Sequence, residues 1–422
     1  MQPLRGTKDI LPYEIKFWQH IYNIASKILF INNYHEIRTP VIESTELFHR
    51  SIGNFTDIVS KEMYSFIDQG DRNITLRPEG TASIARAFIS NKLYSNNRIN
   101  RFWYFGPMFR YERPQKGRQR QFHQLGIECI GSSSPIADIE VIRLAIKILD
   151  ELQHKEYIVE INSIGNIEER NKYTTLLRNY LNKYVNDLDE DSKKRLVNNP
   201  LRILDTKDPR TQEIILKAPK LKECLTLESI NHFNNVCQHL NSLNIPYQIN
   251  DNLVRGLDYY NYTAFEIKTT SKNAQNTICG GGRYDQLIEQ LGGPKTPSVG
   301  WAIGLERLLL ITKETLSLQN QYITIYIIYK NDQINDDLWK IIKVIEKLKI
   351  NFELDLSNNN LYKQLKKASQ RKSKICLILG EDEINNQYVT VKWINTSTQQ
   401  RIKIHQLYNY LKYLKKHYLN LT

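Results

Sequence analysis

Apolar side chains along this chain recur at two spacings, and each change of spacing marks an element. From residue 13, Ile15, Trp18, Ile21, Tyr22, Ala25, Ile28 and Leu29 recur at helical spacing, which predicts an amphipathic helix to about residue 31. Asn32-Asn33 closes it, and residues 34–42 read as extended, with Pro40 marking an edge. Short strands are predicted at 63–67 and 73–76 around the turn Gln69-Gly70-Asp71, and a helix from about residue 82. Residues 102–111 and 121–130 read as two strands joined by a longer loop. The second alternates Phe122, Gln124 and Glu128 against Leu125, Ile127 and Cys129. A strongly amphipathic helix follows at 137–152, then a strand at 157–161.

Residues 167–236 change character, with helical patterns rich in Asn and Lys and few glycines; they predict a helical insertion with a small core of its own. Strands are predicted at 247–249 and 263–268, and a strand, turn and helix around Gly304. A polar break at 317–322 marks a domain boundary between residues 1–320 and 321–422. Beyond it the strands ITIYIIY, FELDL, ICLILG and YVTVKWI alternate with helices at 336–348, 361–370 and 405–421, which implies βαβ units and a mixed sheet covered by helices. The fold class is therefore α/β overall. The longest apolar runs, such as 323–329, are far too short to span a bilayer.

Composition changes this picture through charge. Of the net charge of +13, residues 321–422 carry +8, from 17 Lys+Arg against 9 Asp+Glu. A basic C-terminal module on an enzyme-sized body favours a polyanionic partner such as a nucleic acid. The 5 cysteines are scattered, which argues against a disulfide scaffold or a zinc knuckle, and the 9 histidines contain no HExxH or HxxxH pattern. The opening MQPLRGTKDILP lacks the layout of a signal peptide, so the cytosol is the default setting.

Candidate chemistry centres on residues 101–131. Arg110, with Arg113, Lys116, Arg118 and Arg120 on the loop, makes an anion cradle, because a guanidinium fork matches phosphate oxygens. Phe122, Gln124 and Glu128 share one strand face beside it, offering a stacking ring, an amide and a carboxylate. In Arg77-Pro78-Glu79-Gly80-Thr81, Glu79 and Thr81 offer acceptors suited to a cation, while Thr81 also suits a helix cap. In LVRGLDYY, Arg255 projects beside Gly256 at an apolar strand end and needs an anion, from a ligand or from Asp258. Tyr260 supplies an aromatic wall with a hydroxyl tip. Glycines 280–282 permit close approach, and Arg307 falls in the first turns of the helix after Gly304.

FRYE with its basic loop resembles motif 2 of the class II aminoacyl-tRNA synthetases, and ERPQKGRQRQFHQLGIE and LVRGLDYY are similar to strings of the histidyl-tRNA synthetase family, bacterial type. The first helix with its proline-bearing strand resembles motif 1, the dimer-forming element, and GLER resembles motif 3. Residues 321–422 look like an anticodon-binding domain. The resemblance implies an α+β catalytic domain over residues 1–320, its antiparallel sheet flanked by helices, and an α/β anticodon-binding domain with a mixed sheet. It implies a homodimeric cytoplasmic ligase that activates histidine with ATP and passes it to tRNA(His), with magnesium on the ATP phosphates and no metal held by the protein.

By motif position, the resemblance assigns Arg110 and Arg255 to the α-phosphate and Arg118 to the γ-phosphate. Phe122 and Arg307 sandwich adenine, and Glu112 reads its amino group. Glu79, Thr81 and Gln124 bind the substrate ammonium, while Glu128, Tyr259 and Tyr260 complete the histidine site. The substrate carboxylate is the nucleophile, so the protein's task is positioning and charge neutralisation. The chain departs from the family pattern at Asn54-Phe55, usually more acidic, at Lys8 and Trp301, more usually Arg and Phe, and at 356–361 (LSNNNL), which lacks the usual glycine and arginine. Two other readings use the same residues. A histidine-binding regulatory paralogue is expected to lack the C-terminal module and catalytic arginines; a class II synthetase for another amino acid is expected to lack LVRGLDYY.

Overall fold

The computed structural model describes residues 1–53, 56–95, 98–115, 117–270, 277–313, 316, 324–329, 336–357 and 359–418. Asn54-Phe55, Lys116, Asn358 and the polar break at 317–322 lie outside the described residues. The chain separates into two compact units, Met1–Leu318 and Gln319–Thr422.

The first unit is built on eight strands: His35–Glu36 (β1), Asn100–Phe109 (β2), Gln121–Ile130 (β3), Tyr157–Ser163 (β4), Tyr247–Ile249 (β5), Asn261–Thr269 (β6), Thr277–Arg283 (β7) and Ser298–Gly304 (β8). Their order across the sheet is β1-β2-β3-β8-β7-β6-β4-β5. The six inner strands pair antiparallel, and the two edge strands add in parallel. The hairpin β2–β3 is paired along its whole length, Asn100 opposite Ile130 and Phe109 opposite Gln121.

Alternation along β3 sorts the two faces. Leu125, Ile127 and Cys129 enter the main core with Trp18, Ile21, Ile142, Leu149, Phe265 and Trp301. Three helices cover that face, Pro12–Ile31, Pro135–Glu151 and Leu227–Ser242, each presenting an apolar stripe. Trp301 is buried there and donates its indole N–H to Val141 O at 2.6 Å. The opposite face carries the even-numbered side chains and a smaller cluster, including Tyr104, Met108, Tyr259, Tyr260 and Tyr284, with the helix Thr81–Ser90. A three-stranded sheet, Ile42–Ser44, Asn73–Leu76 and Tyr64–Ile67, forms separately.

The insertion has the small core expected of it: Tyr173, Leu177, Leu181, Leu196, Ile203 and Ile215 among others. Its helix Ile167–Leu181 opens with a capping box, Asn166 and Glu169 each bonding the other's backbone N–H. The predicted end at residue 236 is corrected. Helix Leu227–Ser242 belongs to the main core through Val236 and Leu240, so the insertion ends before it.

In the second unit Ile325–Tyr329 (β9), Phe352–Leu354 (β10), Ile375–Leu379 (β11), Tyr388–Trp393 (β12) and Gln399–Lys403 (β13) form a mixed sheet in the order β10-β9-β11-β12-β13. Helices Asp336–Lys347 and Leu407–His417 bury one face around Ile325, Leu377 and Val391, and Leu361–Gln370 covers the other through Ala368. Strand β13 escaped sequence reading because QQRIK is almost wholly exposed and shows no apolar alternation. Among the described residues no helix is long and apolar enough to cross a membrane.

Candidate active site

On the open face of the sheet lies a cavity of about 740 Å³ lined by Glu79, Thr81, Arg110, Glu112, Arg118, Phe122, Gln124, Arg255, Tyr259, Tyr260 and Arg307. Residues separated by more than two hundred positions in the chain thus converge. A larger depression of about 1050 Å³ runs along the three-stranded sheet, but its one arginine, Arg72, is tied to Asp68, so the chemistry favours the smaller cavity.

The basic loop contributes less than expected. Arg110 and Arg118 face the cavity; Arg113 and Arg120 do not line it. Arg120 instead lies over the Tyr111 ring at 3.8 Å. Arg110 donates from Nε to Pro78 O at 2.8 Å and packs its guanidinium over Phe122 at 5.3 Å. Glu112 stands between the two cavity-facing arginines, 3.2 Å from Arg118 and 3.9 Å from Arg110.

The turn Arg77-Pro78-Glu79-Gly80-Thr81 is fixed from below. Buried Arg77 donates to Pro107 O and to both oxygens of Thr39 at 3.0 Å, joining the turn to β2. The cap of helix Thr81–Ser90 is Glu79, and the expectation that Thr81 caps it is corrected. The Glu79 carboxylate accepts from the backbone N–H groups of Thr81 and Ala82, each at 2.7 Å. Burial raises the Glu79 pKa, and these two bonds oppose the rise. Freed from capping, Thr81 donates its hydroxyl to Glu128 Oε1 at 2.7 Å.

Glu128 does not line the cavity. It is fully buried one layer behind, between the hydroxyls of Thr81 and Tyr284. Its neighbour across the sheet is Gly300, where any Cβ would collide with the carboxylate. Burial pushes its pKa up to about 8, against the pull of the two hydroxyl bonds. Both of its partners are hydroxyls, not loop arginines. Tyr284 was not picked out from sequence, although it follows Arg283 directly in the GGGRYD string.

Arg255 also differs from expectation in its partner. Asp258 faces away, accepting from Asn199 Nδ2 at 3.1 Å, and Glu266 on β6 takes the guanidinium instead. Glu266 also accepts from Thr277 Oγ1 at 2.9 Å. Burial disfavours the Arg255 charge, yet Glu266 outweighs it and the pKa is raised. Nor does Arg255 follow a strand directly, since β5 ends at Ile249. Gly280 lies against its guanidinium, and a Cβ there would collide with it. Arg255 Nε and Gln124 Oε1 are buried here without a hydrogen-bond partner among the described residues, which leaves capacity for a ligand.

Arg307, in the first turn of helix Leu305–Thr312, donates to Thr277 O; burial lowers its pKa, as does nearby Arg118. The preceding Glu306 accepts from the His123 backbone N–H and ring Nδ1 at 3.0 Å, fastening this helix to β3. Glu266, Glu306, Asp205 and Lys207 line the cavity without having been foreseen. The last two come from the insertion, in the string LDTKDPR.

An antiparallel sheet with arginines supplied by a hairpin and by a helix start, in a chain with a separate mixed-sheet unit, defines a class II aminoacyl-tRNA synthetase. Residues 6–308 match the family model described as histidyl-tRNA synthetase, and residues 324–414 match the anticodon-binding domain. The chain belongs to the histidyl-tRNA synthetase family and is an aminoacyl-tRNA ligase acting on histidine. It is 64% identical over 399 residues to the chloroplastic histidine–tRNA ligase of Gracilaria tenuistipitata var. liui, covering 94% of this chain and 95% of that one. It is 50% identical over 416 residues to the histidine–tRNA ligase of Gloeothece citriformis, covering 99% and 97%. The apo S. aureus histidyl-tRNA synthetase structure superposes with a TM-score of 0.79 at 34% identity, covering 98% of this chain and 100% of that one. A structure described as an ATP phosphoribosyltransferase regulatory subunit/histidyl-tRNA synthetase from Bacillus halodurans shares the fold at 21% identity, with a TM-score of 0.64 over 90% of this chain and 98% of that one.

Proposed function

We propose that the cavity makes histidyl-adenylate by holding the histidine carboxylate in line with the α-phosphate of ATP, with the arginines as its principal electrostatic device. Arg110 and Arg255 neutralise charge growing on the α-phosphate as the substrate carboxylate attacks and pyrophosphate leaves; Arg118 holds the γ-phosphate end. Adenine lies between Phe122 and Arg307, with Glu112 at its amino group. Magnesium enters with the nucleotide substrate on its β- and γ-phosphates. The transfer step then moves histidine from the adenylate to the 3′ end of tRNA(His), whose anticodon the second unit binds.

On the amino-acid side, Glu79, Thr81 and Gln124 accept from the ammonium. Thr81 suits this role because its one hydrogen is engaged by Glu128, leaving only acceptor lone pairs toward the cavity. Tyr259 and Tyr260 wall the imidazole, and Glu128 reaches its N–H by exchanging one of its hydroxyl contacts. The supporting observation is the convergence of Arg110, Arg255, Arg307 and Gln124 on one cavity. ATP–pyrophosphate exchange measured across the amino acids tests it: histidine alone should drive exchange, and equal rates with another amino acid overturn the assignment.

The enzyme works as a homodimer. The depression beside Ile42 and Ile74, with Phe66 and Ile67 exposed on the same sheet, offers an apolar face for a second copy. A monomer at micromolar concentration in light scattering removes that reading. Its setting is an aqueous compartment where tRNA is charged, the cytoplasm or the chloroplast named for the Gracilaria relative.

A further inference from the structure

The loop between β5 and β6 carries Arg255, Tyr259 and Tyr260, yet residues 250–260 have neither a helix nor a strand to hold them. Backbone groups in such a loop need partners from elsewhere. The loop's front faces the catalytic cavity. Asn162 on β4 donates to Asp251 O and Leu253 O, and the Asp258 N–H is taken by Ile52 O. The loop's back faces the helical insertion, which holds the carbonyls at its end.

Arg170, on the insertion helix Ile167–Leu181, is the principal contact. Its Nη1 donates to Asp258 O at 3.0 Å and to Tyr260 O at 2.7 Å, so one nitrogen brackets Tyr259 from both sides. Asn199 donates to the Asp258 carboxylate at 3.1 Å. Val254 packs into the insertion core, and the Arg202 guanidinium lies close behind Gly256. A cavity of about 210 Å³ remains between the insertion and the loop, bordered by Arg170, Arg202, Leu257 and Asp258. The packing behind the loop is therefore incomplete, and around Tyr259 the polar bonds from the insertion stand in for it. Arg170 is itself half-buried, and burial lowers its pKa. Held among carbonyls beside Asp258, a cation of this kind makes charge-assisted bonds, which are stronger than neutral ones.

We infer that the insertion forms the back wall of the amino-acid site and that Arg170 is a positioning residue, setting Tyr259 and Tyr260 for histidine through their backbone. This rests on the reading that the loop binds histidine, and it assigns a role in that site to a residue no sequence motif singled out.

The test uses the full chain, with pyrophosphate exchange at varied histidine and varied ATP, and thermal unfolding of each variant. Arg170→Ala should raise the histidine KM about tenfold or more, leave the ATP KM within about twofold, and change the melting temperature little. Arg170→Lys, which keeps the charge but loses the planar fork and its reach, should fall between. Asn199→Ala should move the histidine KM in the same direction by less, and it decides the matter should Arg170→Ala fail to fold. Equal rises in both KM values, or no rise in the histidine KM, overturn the proposal, because a merely structural anchor gives one of these. Gln124→Ala is run alongside as a direct test of the site. A raised histidine KM in Gln124→Ala but not in the Arg170 and Asn199 variants refutes the positioning role alone; no change in any refutes the site reading itself.

Discussion

Thr81 donates its hydroxyl to Glu128 at 2.7 Å, so the residue that faces the cavity and the carboxylate buried behind it act as a unit. The bond fixes the direction of the hydroxyl and holds down the raised pKa of Glu128. Thr81→Val keeps the shape, removes an acceptor from the proposed ammonium site and leaves Glu128 with the Tyr284 hydroxyl. The histidine KM should rise by roughly tenfold, the loss of one hydrogen bond to a charged group, with the ATP KM little changed. An unchanged histidine KM would show that Thr81 is only part of the packing.

Glu128→Gln separates charge from shape at the next layer. A carboxylate accepts from an imidazole N–H, and a site built on that bond rejects side chains that cannot supply it. The variant should show a large rise in histidine requirement and a small change for ATP. The pH dependence of stability gives a second check. In the ligand-free protein the folded pKa of Glu128 is raised to about 8 from the ordinary 4.5. This group's stabilising contribution is full below pH 4.5 and is lost as pH rises through about 8, because ionisation is then required behind the cavity. Glu128→Gln should therefore lose less stability than the parent between those values in chemical-denaturation series. Parallel curves would contradict the raised pKa.

Arg255 and Glu266 form a partly buried ion pair at the cavity wall, where the proposed mechanism sets the α-phosphate. Arg255→Ala should leave the fold intact and cut exchange about a hundred- to a thousandfold, roughly 3–4 kcal/mol of transition-state stabilisation. Arg255→Lys should also fail, since a point charge does not replace a planar fork. Gly280→Ala offers the same test without touching a charge. Its Cβ would meet the Arg255 guanidinium, so exchange should fall while the melting temperature changes little. Normal exchange in both Arg255 variants would make Arg255 structural.

How much of this site sequence can show depends on where each partner lies. The alternation of Phe122, Gln124 and Glu128 against Leu125, Ile127 and Cys129 gives the two faces of β3 directly, and the structure keeps that division. The partner of Arg255 is not legible in this way. Asp258 is near in sequence but points toward Asn199, whereas Glu266 comes into reach because β6 pairs with β7, placing it opposite Gly280. Local order cannot give such a cross-strand register. The end of the insertion differs from the expected one for a related reason. Helix Leu227–Ser242 has the same Asn-rich composition as the insertion, and only packing shows that Val236 and Leu240 belong to the main core. Thr81 was legible as a polar contact, but its capping role went to Glu79, because a carboxylate two residues earlier can reach both exposed N–H groups.

Glu306 joins β3 to helix Leu305–Thr312, the two elements from which the proposed adenine site is drawn. Its carboxylate takes the His123 backbone N–H and ring, while the His123 ring packs edge-on against Trp18 at 4.8 Å. His123 lies between Phe122 and Gln124, and Arg307 follows Glu306 directly, so this bond sets the gap between Phe122 and Arg307, where the proposed mechanism holds adenine. Glu306→Ala leaves a partly buried N–H unpaired, at about 1–3 kcal/mol, and lets the helix start drift from β3. The ATP KM should rise more than the histidine KM, the reverse of the pattern for Thr81 and Glu128. Glu306→Gln, which retains an acceptor for the N–H, should recover most of the loss. If Glu306→Ala instead raises the histidine KM alone, adenine is not held between Phe122 and Arg307.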